Sequence, residues 1–152
     1  MVMEPHQANV FGTIHGGEIM RIMDTTAGWT AIKYARRQCV TARVDEFQFL
    51  RPINISDFVT CTGTVVYTGN TSIEIRVTLD TENLQDRGSK GRAIEAFFTY
   101  VALGENGRPV PIPPFVPESD REKELYEYVK QRRAFDQKRR EEARQRAAQK
   151  QD

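Results

Sequence analysis

The sequence has only two cysteines and two histidines, and it has no apolar run long enough to span a bilayer. Cys39 and Cys61 both lie in apolar-rich stretches, whereas a secreted scaffold of this length would carry more cysteines. The start of the chain, MVMEPHQANV, lacks the basic and then apolar layout of a signal peptide. We therefore expect a cytoplasmic protein in a reducing compartment.

The sequence also lacks an excess of charge of one sign. Its 22 Lys and Arg residues balance 21 Asp and Glu residues, which gives a net charge of +1. Such a balance provides no overall field for attracting nucleic acid or an anionic membrane, and we expect neither as a partner. A chain of 152 residues is long enough for one domain with its own core.

A proline-rich connector, RPVPIPPFVP, divides the chain by composition, because closely spaced prolines interrupt both helices and central strands. We predict a folded domain over residues 1–118 and a charged helical extension over 119–152. The extension holds 11 of the 22 basic residues. Ser119 and Asp120 are typical of a helix start, and after Phe135 the apolar stripe fades, so we expect the last turns to be solvated or frayed. The basic run KRREEARQR has no aromatic platform for nucleic acid.

One long helix is predicted from Gly16 to Arg37. Met20, Met23, Ala27, Ala31 and Tyr34 recur at helical spacing. Other apolar residues widen this stripe, so we expect the helix to be covered on most sides.

Long strands are predicted after this helix. Apolar residues alternate from Val40, and their parity switches around Asp45–Glu46, which indicates a bulge. Gly69–Asn70 and the segment DRGSKG (86–91) are turn signals between the following strands. One long helix followed by four or more antiparallel strands predicts an α+β fold in which the sheet curls around the helix.

The stretch from Asn9 to Asp24 carries the clearest chemical signal. Gly16 and Gly17 begin the predicted helix, where free N–H groups and the helix dipole favour negative charge, as on a polarised carbonyl oxygen. Asp24 lies about two turns into an apolar surface, where an ionised carboxylate needs partners. Taken alone, Asn9 also fits a loop residue, and Asp24 also fits an ion-paired surface residue.

Several motifs together resemble the acyl-CoA thioester hydrolases of the hotdog fold. They comprise the run Asn9-x-x-Gly12-x-x-His15-Gly16-Gly17 with Met20, Met23 and Asp24, Val40-Thr41-Ala42, Asp45 with Phe49-x-Arg51-Pro52-Ile53, Gly69-x-Thr71-Ser72, and Phe98-x-x-Val101-Ala102-Leu103. The resemblance runs from Asn9 to about Pro114. It implies a long central helix wrapped by a curved antiparallel sheet, homodimers that continue the sheet, and often a trimer of dimers.

The resemblance also implies roles for individual residues. Asn9 of one subunit would face Asp24 of the other, acyl-CoA would bind at their interface, and no metal or organic cofactor would take part. Asp24 would act as a general base or attack the thioester directly. Asn9 suits positioning the water or binding the carbonyl oxygen, and the N–H of Gly17 would complete an oxyanion site.

Coenzyme A carries phosphates, so its site needs fixed donors and cations. Thr71 and Ser72 match a family position near the pantetheine and phosphates, and we expect Lys90 and Arg92 to gather at the adjoining strand end. His15, with Gly16, is assigned to shaping the loop and contacting the thioester.

Two other functions remain open at this point. A non-catalytic acyl-CoA sensor on the same fold would keep the pocket and lack the base, which Asp24 and Asn9 argue against. A hotdog hydratase normally uses an Asp–His pair, and the only histidines here are His6 and His15.

Overall fold

The computed structural model describes residues 1–149. A short 3₁₀ helix (Pro5–Gln7) precedes helix α1 (Gly16–Ala35), four strands and helix α2 (Asp120–Gln149). The strands are β1 (Cys39–Phe49), β2 (Phe58–Thr68), β3 (Ser72–Glu82) and β4 (Gly91–Ala102). The chain forms two compact units, Met1–Pro114 and Phe115–Asp152, which divide within the proline-rich connector, slightly before the predicted boundary at residue 118.

The four strands form one antiparallel sheet in the order β1, β4, β3, β2. Because β2, β3 and β4 follow each other as neighbours, the two turns that join them lie at opposite ends of the sheet. The predicted turn at Gly69–Asn70 is confirmed, since the N–H of Gly69 donates to the main-chain oxygen of Ser72 at 2.9 Å. The predicted α+β class, with a curved antiparallel sheet around a long helix, is also confirmed.

Strand β1 contains the predicted bulge. Its register against β4 shifts between Asp45 and Gln48, and Glu46 adopts a positive φ of 53°. The extra residue turns Phe47 toward the core, where it packs as a partly buried side chain.

Helix α1 lies on one face of the sheet. Its buried side chains recur every four residues and contact the fully buried apolar rows of β3 and β4. These helix residues are Ile19, Met23, Ala27, Ala31 and Ala35, and the sheet residues include Ile73, Ile75, Val77, Leu79, Ile94, Ala96 and Phe98.

The single chain departs from two expectations about α1. Within the single chain only one face is covered, and Met20 and Trp29 are exposed, Trp29 by 68%. The helix ends at Ala35 because Arg36 adopts the left-handed conformation with φ 55°, and its N–H donates to the Ile32 oxygen.

Helix α2 begins as the sequence predicts. The N–H of Glu122 donates to Ser119 Oγ at 3.2 Å, and the Glu122 carboxylate accepts the N–H groups of Glu118 and Ser119. These backbone hydrogen bonds lower the pKa of Glu122. From Gln137 to Ala148 the side chains are exposed while the backbone stays helical.

Candidate active site

The loop before α1 fixes Asn9 through a closed set of hydrogen bonds. Asn9 Oδ1 accepts the N–H of Phe11 at 2.9 Å and that of Thr13 at 3.3 Å, and Asn9 Nδ2 donates to Thr13 Oγ1 at 2.9 Å. The main chain closes the same loop, because the N–H of Asn9 donates to the Thr13 oxygen at 2.7 Å. Asn9 therefore organises this loop, as a lone loop asparagine would, and its position is rigidly set relative to the start of α1.

The first turn of α1 is capped by His15. His15 Nδ1 accepts the N–H of Gly17 at 3.0 Å, and the His15 main-chain oxygen accepts the N–H of Glu18. Within residues 1–149, no acceptor binds the N–H of Gly16. A side chain at Gly16 would stand 3.2 Å from the ring of Phe49, so the glycine allows the end of β1 to pack against the helix start.

Asp24 is held from the sheet by two hydroxyl groups. Thr41 Oγ1 donates to Asp24 Oδ1 at 2.8 Å, and the Tyr100 hydroxyl lies 2.7 Å from the same oxygen. Thr41 and Tyr100 face each other as partners in the register of β1 and β4. Within the described chain, Asp24 Oδ2 accepts no hydrogen bond and is left available for a ligand or water.

Asp24 stands in an open cleft of about 400 Å³ between α1 and the first residues of β1. The cleft is lined by Asp24, Thr25, Gly28, Trp29, Ile32, Cys39, Val40, Thr41 and Tyr100. Apart from the Asp24 group its walls are mostly apolar, which suits a ligand with an apolar chain beside a polar reacting centre.

The two cysteines are free thiols. Burial raises the pKa of the Cys39 thiol and also that of the Cys61 thiol. Both thiols are thereby kept protonated, so neither has the thiolate character of a nucleophile.

Asn9 and Asp24 do not meet within one chain. No hydrogen bond joins them within the described residues, and α1 rises about 12 Å between Gly16 and Asp24. Any direct contact between these two side chains requires a second copy of the protein.

The structure separates the residues assigned to coenzyme A into two groups. The Thr71 main-chain oxygen accepts the N–H of Ala102, and Ser72 pairs with Val101, so both lie at the end of the sheet that carries Thr41 and Tyr100.

Lys90 and Arg92 lie at the opposite end, where Gly91 pairs with Thr81. Strand β3 has 11 residues, so about 30 Å of strand separates the two groups. The expectation that Lys90 and Arg92 adjoin Thr71 and Ser72 does not hold within one chain.

The two basic residues differ in their surroundings. Arg92 Nε lies 2.5 Å from Asp80 Oδ1, and Arg92 Nη1 lies 3.6 Å from Glu95 Oε2, so its charge is paired on the sheet surface. Lys90 is exposed. Arg51 reinforces this end of the sheet, because its guanidinium donates to the main-chain oxygens of Ser89 and Arg92.

Neither histidine hydrogen-bonds to Asp24 in the described part of the chain: His15 caps α1, and His6 pairs with Glu4 at 3.0 Å. Residues 1–149 contain no cluster of three His, Cys, Asp or Glu side chains placed to hold a metal ion. In the same range, no helix has both the length and the apolar character that crossing a membrane requires.

Sequence reasoning missed Thr41 and Tyr100 as partners of Asp24. Thr41 belongs to a motif on which the resemblance rests, and Tyr100 reads as a residue of an apolar central strand. Their shared contact depends on the β1–β4 register, which the alternation of apolar residues does not specify.

Comparisons with known proteins identify a matching family and relatives of this chain. A family model described as the thioesterase superfamily matches residues 11–86. The cytosolic acyl coenzyme A thioester hydrolase of Rattus norvegicus is 39% identical over 129 residues, which cover 84% of this chain. The chain spans only 34% of the length of that relative.

Solved structures agree with this match. A hexameric acyl-CoA thioesterase, solved in the apo form, superposes with a TM-score of 0.86 at 35% identity, covering 91% of this chain and 88% of that one. An acyl-CoA hydrolase of Staphylococcus aureus, in complex with butyryl coenzyme A, coenzyme A and coenzyme A disulfide, has a TM-score of 0.85 at 33% identity, covering 95% and 88%. Variants of that hydrolase with alanine in place of one Asn, one Asp and one Thr have also been solved.

The chain therefore belongs to the thioesterase superfamily and has the hotdog fold. The family and the fold expected from the sequence are confirmed.

Proposed function

We propose that this protein hydrolyses the thioester of acyl-CoA to free coenzyme A and a carboxylic acid, at sites shared between two copies. The observation that carries the proposal is the Asp24 carboxylate, which stands in an apolar cleft with Oδ1 bound by two hydroxyl groups and Oδ2 open. A carboxylate oxygen held in this way can accept a proton from water or attack a carbonyl carbon.

The chemistry needs few other groups. Water attacks the thioester carbon while its proton passes to Asp24, a tetrahedral oxyanion forms, and its collapse expels the coenzyme A thiolate. Attack by Asp24 itself would give an anhydride that water then hydrolyses. Hydrolysis in oxygen-labelled water identifies the anhydride route when label is recovered in the Asp24 carboxylate, which occurs only if water opens the anhydride at the aspartyl carbon. No metal or organic cofactor is part of the proposal.

The two ends of the sheet carry complementary parts of one site. Asp24, Thr71 and Ser72 belong to one end, while the Asn9 loop, the start of α1 and Lys90 belong to the other. Two copies that pair in opposite directions would bring unlike ends together. In such a dimer Asn9 of one subunit faces Asp24 of the other, and Lys90 and Arg92 of one subunit join Thr71 and Ser72 of the other around coenzyme A.

Residue spacing supports the assignment of Asn9 and Asp24. The three positions changed to alanine in the S. aureus hydrolase follow each other at the same intervals as Asn9, Asp24 and Thr41. We assign Asn9 to binding the carbonyl oxygen or the water, and Thr41 to holding Asp24.

The oxyanion site is proposed at the start of α1. The N–H of Gly17 now donates to His15 Nδ1, so it can bind an oxyanion only when His15 releases it. The N–H of Gly16 is open and adds a second donor at the positive end of the helix dipole. His15 thus controls access to one of the two donors and lies where it would contact the thioester.

The assembly is proposed to be a trimer of such dimers in the cytoplasm. Support comes from the hexameric state of the superposed thioesterase and from the cytosolic rat relative. The exposed Met20 and Trp29 on α1 supply apolar surface for the dimer contact.

The proposal is tested by following free thiol release from an acyl-CoA series, from acetyl to palmitoyl. Asp24→Asn should lower kcat by at least about a hundredfold with an unchanged melting temperature. Glu18→Gln is the matched control, because it removes one carboxylate from an exposed ion pair with Arg21 on the same helix. Wild-type protein that binds acyl-CoA but releases no thiol would instead favour the sensor function.

A further inference from the structure

The Tyr100 hydroxyl lies within hydrogen-bond distance of two oxygens of Asp24. Its hydroxyl oxygen lies 2.7 Å from Asp24 Oδ1 and also 2.7 Å from the main-chain oxygen of Asp24. The side chain is only 3% exposed, on the central strand β4. We infer, on the basis of the proposed function, that Tyr100 is a positioning residue for hydrolysis, whose hydroxyl fixes the Asp24 carboxylate so that Oδ2 faces the cleft.

A single donor would not fix this carboxylate. The terminal torsion of an aspartate is broad, so with one hydrogen bond the plane of the carboxylate can still rotate about that contact. Thr41 and Tyr100 bind the same oxygen from neighbouring strands at paired positions of the register. Together they hold the plane of the carboxylate, so that one oxygen is occupied by the hydroxyl groups and the other stays free to react.

The hydroxyl of Tyr100 has one proton and two Asp24 oxygens at 2.7 Å, and while Asp24 is ionised its carboxylate oxygen is the stronger acceptor of the two. Burial, and secondarily the neighbouring Asp24 carboxylate, raise the pKa of Tyr100 above its ordinary value. The phenol therefore stays protonated throughout the range in which a thioester is stable enough to assay.

Gly28 makes the contact possible. A methyl group at this position would stand 3.2 Å from the Tyr100 hydroxyl oxygen and 3.5 Å from Cε1 of its ring. Because Gly28 has no side chain, the Tyr100 side chain can pass close to α1 at this position and reach the carboxyl group of Asp24, which lies one helical turn before Gly28.

The test begins with Tyr100→Phe, which keeps the ring and removes only the hydroxyl. We expect kcat to fall by about tenfold to a hundredfold, because the hydrogen bond is made to a charged group, with little change in KM. Tyr34→Phe is the matched control, since it removes a phenol hydroxyl that donates to the Pro113 oxygen at 2.9 Å, away from Asp24.

A double-mutant cycle separates positioning from a general structural role. If Tyr100 acts through Asp24, Tyr100→Phe should have almost no further effect on the residual rate of Asp24→Asn protein, measured at high enzyme concentration. An equal loss in both backgrounds would overturn the inference, as would a Tyr100→Phe protein with wild-type kcat. A wild-type protein without thioesterase activity would overturn the proposed function itself, and with it this inference.

Gly28→Ala is a second test, which stays informative if the Tyr100→Phe protein does not fold. Alanine favours a helix over glycine, so the substitution should not lower the melting temperature while its methyl group displaces the hydroxyl by a few tenths of an ångström. A fall in kcat of about threefold or more with an unchanged KM supports the inference, because a methyl group that blocked substrate in the cleft would raise KM. Full activity in Gly28→Ala protein together with full activity in Tyr100→Phe protein contradicts it.

Discussion

The chemistry of Asp24 is determined by what surrounds each of its two oxygens. Oδ1 is bound by hydroxyl groups from two strands, while Oδ2 accepts no hydrogen bond within the described residues and Asp24 lines the cleft. The same residue type on an exposed helix face would be an ordinary surface carboxylate. The difference comes from Thr41 and Tyr100, neither of which would be chosen as functional by residue type alone.

Replacing Thr41 with Val removes one donor to Asp24 while keeping the branched shape that suits a strand. We expect kcat to fall by about tenfold to a hundredfold, because a hydrogen bond to a charged group contributes about 1.5–3 kcal/mol. Thr41→Ser retains a hydroxyl and should recover most of the rate. Steady-state kinetics of the three proteins checks this, and equal kcat in Thr41→Val and wild-type protein would remove Thr41 from the site.

Replacing Lys90 with Ala should raise the KM for acyl-CoA and leave kcat unchanged, because the substitution removes a cation that would lie near a phosphate group of coenzyme A. Since the interaction is between charges, the difference from wild type should shrink as salt is added. Arg87→Ala removes an exposed cation from the same turn and serves as the comparison. A Lys90→Ala protein whose KM equals that of wild type at both low and high salt would exclude Lys90 from coenzyme A binding.

At the scale of helices and strands, the packing of α1 on the sheet positions the start of α1 and Asp24. Helix α1 approaches β2 closely at Gly63, where an added methyl group would overlap Thr30 Oγ1. The Thr30 hydroxyl is itself bound to the Thr26 main-chain oxygen at 2.8 Å, so it cannot turn away freely.

Gly63→Ala should therefore lower the free energy of unfolding by about 1–3 kcal/mol, the usual range for an overpacked contact. Gly88→Ala is the matched substitution, because the nearest atom to its methyl group would be 3.6 Å away in an exposed turn. Urea unfolding of both variants measures the difference. Equal midpoints for Gly63→Ala and wild type would mean that α1 does not press on β2 at this point.

Most of the element pattern can be predicted from the sequence because it depends on local rules. The Gly69–Asn70 turn, the bulge at Asp45–Glu46 and the capped start of α2 each follow from residue type and alternation. The end of α1 could not be predicted, since it depends on Arg36 adopting a left-handed conformation that arginine rarely favours.

The relation between distant site residues is harder to predict. Thr71 and Lys90 follow successive turns, and in an antiparallel sheet successive turns point to opposite ends. Their separation within one chain follows from this topology. The individual residues of the site are suggested by motif, whereas their spatial grouping requires the register and the second copy.

For the whole molecule, the uncovered face of α1 is the main indication of assembly. Trp29 is 68% exposed beside the cleft, and Val40 is exposed at the start of the edge strand β1. A large apolar side chain in this position is stabilised when a second copy covers it.

Trp29→Lys should therefore weaken self-association and lower activity together. Light scattering after size-exclusion chromatography should report a smaller particle than wild type, with thiol release reduced in parallel. Tyr128→Lys, which alters an exposed aromatic residue of α2, is the comparison. A Trp29→Lys protein of wild-type size would rule out this face as the contact.

The central claim, that each site takes Asn9 from one subunit and Asp24 from another, is tested most directly by complementation. Asn9→Ala and Asp24→Ala proteins carry different affinity tags, are made together in one cell, and are purified through both tags. Every mixed dimer then has one site with both residues intact and one site with neither. We predict that the doubly purified protein recovers about half of the wild-type rate where every dimer is mixed, and about a quarter where the proposed trimer of dimers forms from randomly paired chains, while each variant alone is inactive. Mixed dimers as inactive as the separate variants would contradict the shared site.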